Sequence, residues 1–372
     1  MKLKSGLGKK RPLIFIVPSL LGGGAERVLI NLANYFNKQQ VKVILIALNH
    51  GVPAYPVDNE IMVINLLKRK RSTLPHRFYY MLLTFYKLLF LLIKHRPACV
   101  LSFITSANIW AGITCNITRT AYIVSERTSP KRTINQFNFI VNSLTGSIYR
   151  KAKAVVVGTQ AVEDCLRQNK AFKNLKNIKK ITNAVTEFDP VTDVKVHKRK
   201  FILGVGRLAH VKGFDQLIAA FSVANLYDTD LLIVGDGPER AGLVCQVYNL
   251  GLRDRVIFAG AKSNLQDFYS QAAVFVLPSR NEGYPNALVE AMSFGCPCIA
   301  MDCEFGPAEI IVDGQNGLLV SNGDIEALAG GIKHLIEDKA LADTLRDNAK
   351  KINDTNSAEK VLKQWSGLIL GC

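Results

Sequence analysis

The chain lacks the patterns that mark several large classes of protein. Its eight cysteines, at positions 99, 115, 165, 245, 296, 298, 303 and 372, follow no disulfide-framework spacing, and no secretory signal precedes the first strand-like run. None of the six histidines belongs to a His-Glu-x-x-His pair or a close His/Cys set, so no metal is expected. No zinc-finger or RNA-binding-sheet signature is present, which removes nucleic acid from the expected partners. Residues 78–93 are nearly all apolar, but 16 residues broken by Lys87 fall short of the roughly 20 that cross a bilayer. Gly371-Cys372 does not form a prenylation box. These absences point to a cytoplasmic chain with reduced thiols, in which Cys296 and Cys298, flanking Pro297 in an apolar run, are core residues.

What is present is material for two domains: 372 residues at 48% hydrophobic composition. The net charge of +17 is unevenly placed. Residues 1–200 hold 33 Lys and Arg against 9 Asp and Glu, and residues 201–372 hold 14 against 21, so the two parts carry +24 and −7. The basic residues cluster at 2–11, 68–71, 150–153 and 195–200, and the partner expected for them is an anionic membrane surface; a solvated basic surface without a partner is the alternative. Arg77, Lys94 and Arg96 bracket residues 78–93, which either lie in the headgroup plane or bury against the N-terminal sheet.

Short apolar runs alternate with helical patterns throughout, the rhythm of parallel sheets with crossover helices, and the fold class expected is α/β with two doubly wound, Rossmann-like domains. Strands are expected at 13–17, 41–47, 62–66, 99–103, 121–124 and 154–157, then at 201–205, 231–234, 256–258, 274–277, 298–300 and 317–320. The polar stretch 186–200, with Pro190 and a charge run, is the expected linker. Helices are expected at 325–335, 339–351 and 358–370.

Residues 276–300 say most. Pro285 suits a first helical position and Gly295 followed by Pro297 supplies a stop, so a helix is expected over about residues 285–294. The amides of Asn286, Ala287 and Leu288 would then be unpaired at the positive end of its dipole, ready for a phosphate. Glu282 falls just before that end, and Glu290 more than one turn inside.

The run Pro278-Ser279-x-x-Glu282-Gly283-Tyr284-Pro285-Asn286-x-x-x-Glu290-Ala291-Met292-x-x-Gly295-x-Pro297 resembles the E-x7-E signature of retaining glycosyltransferases with the GT-B fold. These belong to the large group 1 family of bacterial lipopolysaccharide, capsule and lipid-linked oligosaccharide sugar transferases. The resemblance implies two Rossmann-like domains facing across a cleft. Residues 1–185, joined by a C-terminal helix at 355–372, would bind the acceptor, and residues 186–354 the nucleotide sugar.

Other motifs carry the same resemblance. Gly206-Arg207-Leu208 and Lys212-Gly213 follow a strand, at the end where open parallel sheets bind ligands, and resemble the family's Gly-Arg-Leu and Lys-Gly pair. By that likeness Arg207 and Lys212 would hold the diphosphate and stabilise the charge left on the departing phosphate; two surface cations at a helix start are the plain alternative. Gly235-Asp236-Gly237-Pro238 matches the family's Gly-x-Gly-Pro loop, where glycine admits close backbone approach to a ligand, although an unliganded turn uses the same residues. Gly22-Gly23-Gly24-Ala25-Glu26-Arg27 fails a dinucleotide reading, for want of a third glycine at the right offset and of an acid ending the second strand. It resembles instead the family's Gly-Gly-Ala-Glu-Arg loop, which puts Gly23 and Gly24 at the sugar or acceptor cleft. Where many members carry a histidine this chain has Ser125-Glu126-Arg127, and Arg127 is expected as a donor or acceptor contact. Asp228-Thr229-Asp230 forms a D-x-D, read as a turn at the far end of the sheet.

The activity implied is transfer of a hexose or N-acetylhexosamine from a nucleoside diphosphate sugar, UDP by preference, to a lipid-linked (polyprenyl-diphosphate) saccharide with retention of configuration. No cofactor is expected, and the place of work is the inner face of the cytoplasmic membrane. Glu290 and the amides of Asn286 and Ala287 would receive the nucleotide, and Glu282 the donor sugar. The alternatives are a nucleotide-sugar epimerase of the same fold and a noncatalytic membrane adaptor.

Overall fold

A computed structural model describes residues 11–68, 73–127 and 130–371; the basic residues 2–10 and 69–71, and Cys372, lie outside the described residues. The chain divides into two compact units, Met1–Asn183 with Glu359–Cys372, and Ala184–Ala358.

In unit 1, strands β1 (Leu13–Val17), β2 (Val43–Asn49), β3 (Met62–Leu67), β4 (Cys99–Phe103), β5 (Tyr122–Glu126), β6 (Ala154–Val157) and β7 (Ile178–Lys180) form a sheet in the order β3-β2-β1-β4-β5-β6-β7. All pairings are parallel. Strands β1, β4, β5 and β6 are buried at every position, as parallel strands must be when helices cover both faces. The helices are α1 (Gly24–Lys38), α2 (Leu74–His95), α3 (Thr105–Thr118), α4 (Phe139–Lys151) and α5 (Gln160–Gln168). Strand β7 has no counterpart in the expected series, because it is three residues long and two of them, Lys179 and Lys180, are exposed on the sheet edge.

Helix α2 corrects the length argument made from the sequence. It runs for 22 residues rather than 16, because Pro75 fits its first turn and Arg96 closes it in the left-handed conformation. By length and composition alone it is long and apolar enough to cross a membrane. Thr84, Leu88 and Leu92 are buried, while most of its other large apolar side chains are exposed, so burial against the sheet accounts for one face only.

Unit 2 holds β8 (Lys200–Val205), β9 (Thr229–Val234), β10 (Val256–Gly260), β11 (Val274–Leu277), β12 (Cys298–Asp302) and β13 (Leu318–Ser321), in the order β10-β9-β8-β11-β12-β13. Its helices are α6 (Phe214–Ala224), α7 (Arg240–Asn249), α8 (Leu265–Gln271), α9 (Asn286–Ser293), α10 (Pro307–Ile310), α11 (Ile325–Glu337), α12 (Lys339–Ala349) and α13 (Ile352–Thr355). Alternation along the strands feeds two cores: Ile202, Leu231 and Ile233 join one, Phe201, Leu203, Leu232 and Val234 the other. Cys296 and Cys298 are buried in the second core, and burial pushes the Cys296 thiol up to about 12.

Residues 186–199 of the stretch expected as a linker have no regular structure, while Lys200 already opens β8; the stretch is fastened to unit 2. The Thr192 amide donates to Asp267 Oδ1 at 2.7 Å and the Val196 amide to Gln271 Oε1 at 3.1 Å, both on α8. The last helix, α14 (Ala358–Leu370), belongs to unit 1, where the fully buried Trp365 stacks on Phe103 with centroids 5.6 Å apart.

Candidate active site

The strand order of unit 2 reverses between β8 and β11, which pair directly through Ile202 and Leu203 with Val274 and Phe275. Loops leaving such neighbours diverge at their carboxyl ends, and the opening between them is where open parallel sheets bind ligands. Here the β8 loop carries Arg207 and Lys212, and the β11 loop carries Ser279, Arg280 and Glu282. The two loops are clipped together. The Arg280 amide donates to the Val211 carbonyl at 2.9 Å, and its guanidinium grips both oxygens of Asp215 at 2.7 and 2.5 Å. Burial pushes the Asp215 carboxyl up, but the Arg280 bond and charge outweigh it and hold the group below its ordinary value. Gly213 has φ +66° and a side chain there would come within 2.0 Å of the Pro278 carbonyl, so glycine is required where the loops touch.

This clip brings together two residues expected in the site from positions 70 apart. Lys212 Nζ donates to Glu282 Oε1 at 2.6 Å, and the buried Ser279 hydroxyl donates to the same oxygen at 2.7 Å. Among the described residues nothing takes Glu282 Oε2, so the 7%-exposed carboxylate is neutralised on one side and keeps acceptor capacity on the other. Arg207 is exposed, and among the described residues none pairs with it.

Helix α9 begins one residue later than expected, with Pro285 as the capping residue instead of the first helical one. The Pro285 carbonyl accepts from the Leu288 amide at 3.1 Å as well as from Val289 at 3.3 Å, so the expected trio of open amides is reduced: Leu288 is spent. Asn286 and Ala287 keep the first two helical positions. Glu290, 2% exposed, is held at both oxygens: the Thr186 hydroxyl donates to Oε1 at 2.8 Å and the Tyr269 hydroxyl to Oε2 at 3.0 Å. A carboxylate has about four lone-pair positions, and these two donors, one on each oxygen, fix its plane.

Neither Thr186 nor Tyr269 was legible from the sequence. They lie 104 and 21 positions from Glu290, and no local pattern ties them to it.

Comparison with known proteins bears on this geometry. Residues 185–352 match the family Glycosyl transferases group 1, and residues 22–186 match Glycosyltransferase Family 4. An uncharacterized glycosyltransferase of Haemophilus influenzae is 30% identical over 95% of this chain and 98% of its own. The chain belongs to the group 1 glycosyltransferases. A further relative of this transferase, 28% identical over 95% of the chain and 97% of its own, is a Campylobacter jejuni α-1,4-N-acetyl-D-galactosaminyltransferase named for an undecaprenol-diphosphate-linked saccharide. Anabaena HepE, solved in complex with UDP, superposes with a TM-score of 0.79 over 97% of this chain and 100% of its own at 21% identity, which places the transferase in the two-domain GT-B fold.

The other residues expected in the transferase's site have the following places. Gly235 has φ +141°, and a side chain would meet the Gly206 carbonyl at 1.9 Å, so its glycine is required by the adjoining β8 loop. Asp228-Thr229-Asp230 is not a turn: Thr229 and Asp230 open β9, and Asp230 is buried against Arg255 at 2.7 Å and His197 at 2.8 Å. Burial raises that carboxyl, but the bonds from His197 and Arg255 win and hold it below its ordinary value.

Gly23, Gly24 and Arg127 lie in unit 1. Gly23 caps α1 and Gly24 is its first residue, next to the β1–β4 point at which that sheet's order reverses. Arg127, expected as a donor or acceptor contact, is 8% exposed and engaged in the fold. It donates to Ser125 Oγ at 2.9 Å, the Ile181 carbonyl at 3.1 Å and Asn183 Oδ1 at 2.7 Å, with its guanidinium 5.3 Å from the Phe103 ring and 5.5 Å from that of Trp365. These contacts join it to α14 and to the end of unit 1. Its neighbour Glu126 was passed over in the sequence. It is fully buried and accepts from Tyr149, from Thr105 at 2.9 Å and from Asn108 at 2.9 Å. Burial pushes its carboxyl up and these bonds offset only part, leaving it at about 7.

Proposed function

We propose that the transferase moves a hexose or N-acetylhexosamine from a UDP-sugar to a hydroxyl of a polyprenyl-diphosphate-linked saccharide, with retention of configuration, in bacterial surface-glycan assembly. The observation that carries the reading is the Lys212–Glu282 pair at the β8–β11 reversal, with Glu290 held ready on α9. Lys212 and Arg207 bear the charge that develops on the leaving diphosphate, a task for cations fixed before the bond breaks. Asn286 and Ala287 face the nucleotide phosphates from the start of α9, Glu290 accepts from the ribose hydroxyls, and Glu282 contacts the donor sugar through Oε2. Gly235 lines the nucleotide side, while Gly23 and Gly24 leave backbone open for the sugar or acceptor in unit 1. The UDP in the HepE complex and the undecaprenol-linked substrate in the Campylobacter relative's name support donor and acceptor class. Membership of a transferase family removes the support for the epimerase and adaptor alternatives.

The test is nucleotide release with a lipid-linked acceptor. Glu290→Gln and Lys212→Ala should each lower turnover by roughly 10²–10³-fold, the usual loss on removing one preorganised electrostatic group, with circular dichroism unchanged. Full turnover in both would overturn the site. An anomeric assignment of the product by NMR tests retention separately.

A further inference from the structure

On the outer side of α2, Phe78, Leu82, Tyr86, Phe90 and Ile93 are all 40–63% exposed. Their spacing of four, four, four and three residues keeps them within roughly 120° of arc at 3.6 residues per turn. The buried Thr84, Leu88 and Leu92 take the other side, and Lys87 Nζ is tied to the Leu66 carbonyl at 2.9 Å. The helix is thus fastened along unit 1 by one face and presents a slanted apolar stripe of about 22 Å, at 1.5 Å per residue, on the other.

Charge decides what can cover it. Arg77, Lys94 and Arg96, at the two ends of α2, are exposed. From residue 61 to residue 162 the sequence has fifteen Lys and Arg and one acid, Glu126, which is fully buried in β5. The helical layer of α2, α3 and α4 therefore has no acid of its own to neutralise its cations. A second copy laid on the stripe would set cation against cation with nothing to pair them. A surface that is apolar within, anionic at its rim and flat over the length of a helix matches every feature.

We propose that the outer face of α2 is a membrane-docking surface, lying in the plane of an anionic bilayer with the five-residue stripe at the acyl boundary and the flanking Arg77, Lys94 and Arg96 on lipid phosphates. The inference sharpens the lipid-linked acceptor reading above, but stands on the exposed stripe and the missing acids.

The full chain is tested with vesicles of phosphatidylcholine with and without phosphatidylglycerol. A Phe90→Trp variant is compared with Tyr227→Trp, at an exposed site in unit 2, using lipids brominated near the headgroup. Trp110 and Trp365 give both variants the same background. Docking predicts salt-sensitive binding to the anionic vesicles, quenching of the new tryptophan at 90 and none at 227. The double substitution Leu82→Ser with Phe90→Ser should weaken binding at least tenfold, leave the melting temperature within a degree or two, and spare turnover of a water-soluble acceptor while slowing that of a long-chain one. Vesicle binding without quenching at 90, unchanged binding by the double variant, or a lipid-free dimer that the double variant dissolves would each overturn it. Loss of all turnover in the wild type would sink the transferase reading but leave the vesicle result standing.

Discussion

The two units share a strand order about their reversal points and differ in what they do with charge. Unit 2 pairs acidic and basic side chains, Lys212 with Glu282 and Arg280 with Asp215, at the point where β8 and β11 part. Unit 1 is more basic, yet it buries its one acid between residues 61 and 162 among neutral donors and turns an apolar stripe outward. At its own reversal, after β4, it holds Ile104 at φ +73°, a strained backbone for a β-branched residue, with the amide bonded to the Ser125 carbonyl. One topology thus carries two surface chemistries: a charge pair with spare acceptor capacity on Glu282 suits a polar, anionic ligand, and a layer without acids suits a lipid surface.

Breaking the units separately is the strongest way to sharpen that contrast. Trp365→Ala removes the ring on which Phe103 stacks and beside which Arg127 packs, and should cost unit 1 roughly 3–5 kcal/mol. In urea with limited proteolysis, unit 1 should open first while fragments of unit 2 persist; equal loss of both would erase the distinction.

The next effect is a pH dependence confined to unit 1. Because burial raises Glu126 above its ordinary 4.5 to about 7, the protonated form favours folding. Its contribution is complete below pH 4.5 and is lost as pH rises through 7. Glu126→Gln should flatten that slope, a difference on the order of 3 kcal/mol at roughly 1.4 kcal/mol per pH unit. An unchanged slope in urea titrations between pH 4.5 and 7.5 would contradict the burial argument.

Smaller again is Thr186→Val, which removes one donor from Glu290 without touching the substituents of a bound sugar. We expect the donor KM to rise about tenfold, as for loss of one hydrogen bond to a charged group, with kcat nearly unchanged and Thr186→Ser restoring the wild-type value. A fall in kcat alone would mean that Thr186 does not position Glu290. The smallest effect is Asp215→Asn. Asp215 is held below its ordinary 3.8, so its stabilisation is present above that value and disappears as pH falls through the lowered one. Its side chain is 41% exposed, so solvent screening limits the loss at pH 7 to under about 1 kcal/mol. A loss of several kcal/mol in thermal unfolding would show the loop clip to be far stronger than an exposed pair.

What the sequence made legible follows the range of each interaction. Parallel strands buried on both faces are apolar runs, so β1, β4, β6 and β11 fall at their expected bounds. The three-residue edge strand β7 carries no such run, and an apolar window for α2 stops at Arg77 although the helix already begins at Leu74, with Pro75 in its first turn. In the site, glutamates and cations were marked by local motifs. Ser279 stands in the same run as Glu282, but the partners of Glu290, Thr186 and Tyr269, were not marked: hydroxyls are common, and only the folded sheet brings these two to it. The packing of Arg127 was hidden for the opposite reason, since a cation at the end of a strand looks free until α14 returns over it.

The most direct test of the central claim, that the β8 and β11 loops of unit 2 receive the nucleotide, is amide hydrogen exchange with and without UDP. The account predicts slowed exchange concentrated in residues 206–213 and 279–290. Slowing restricted to unit 1, with these segments unaltered at saturating UDP, would contradict it.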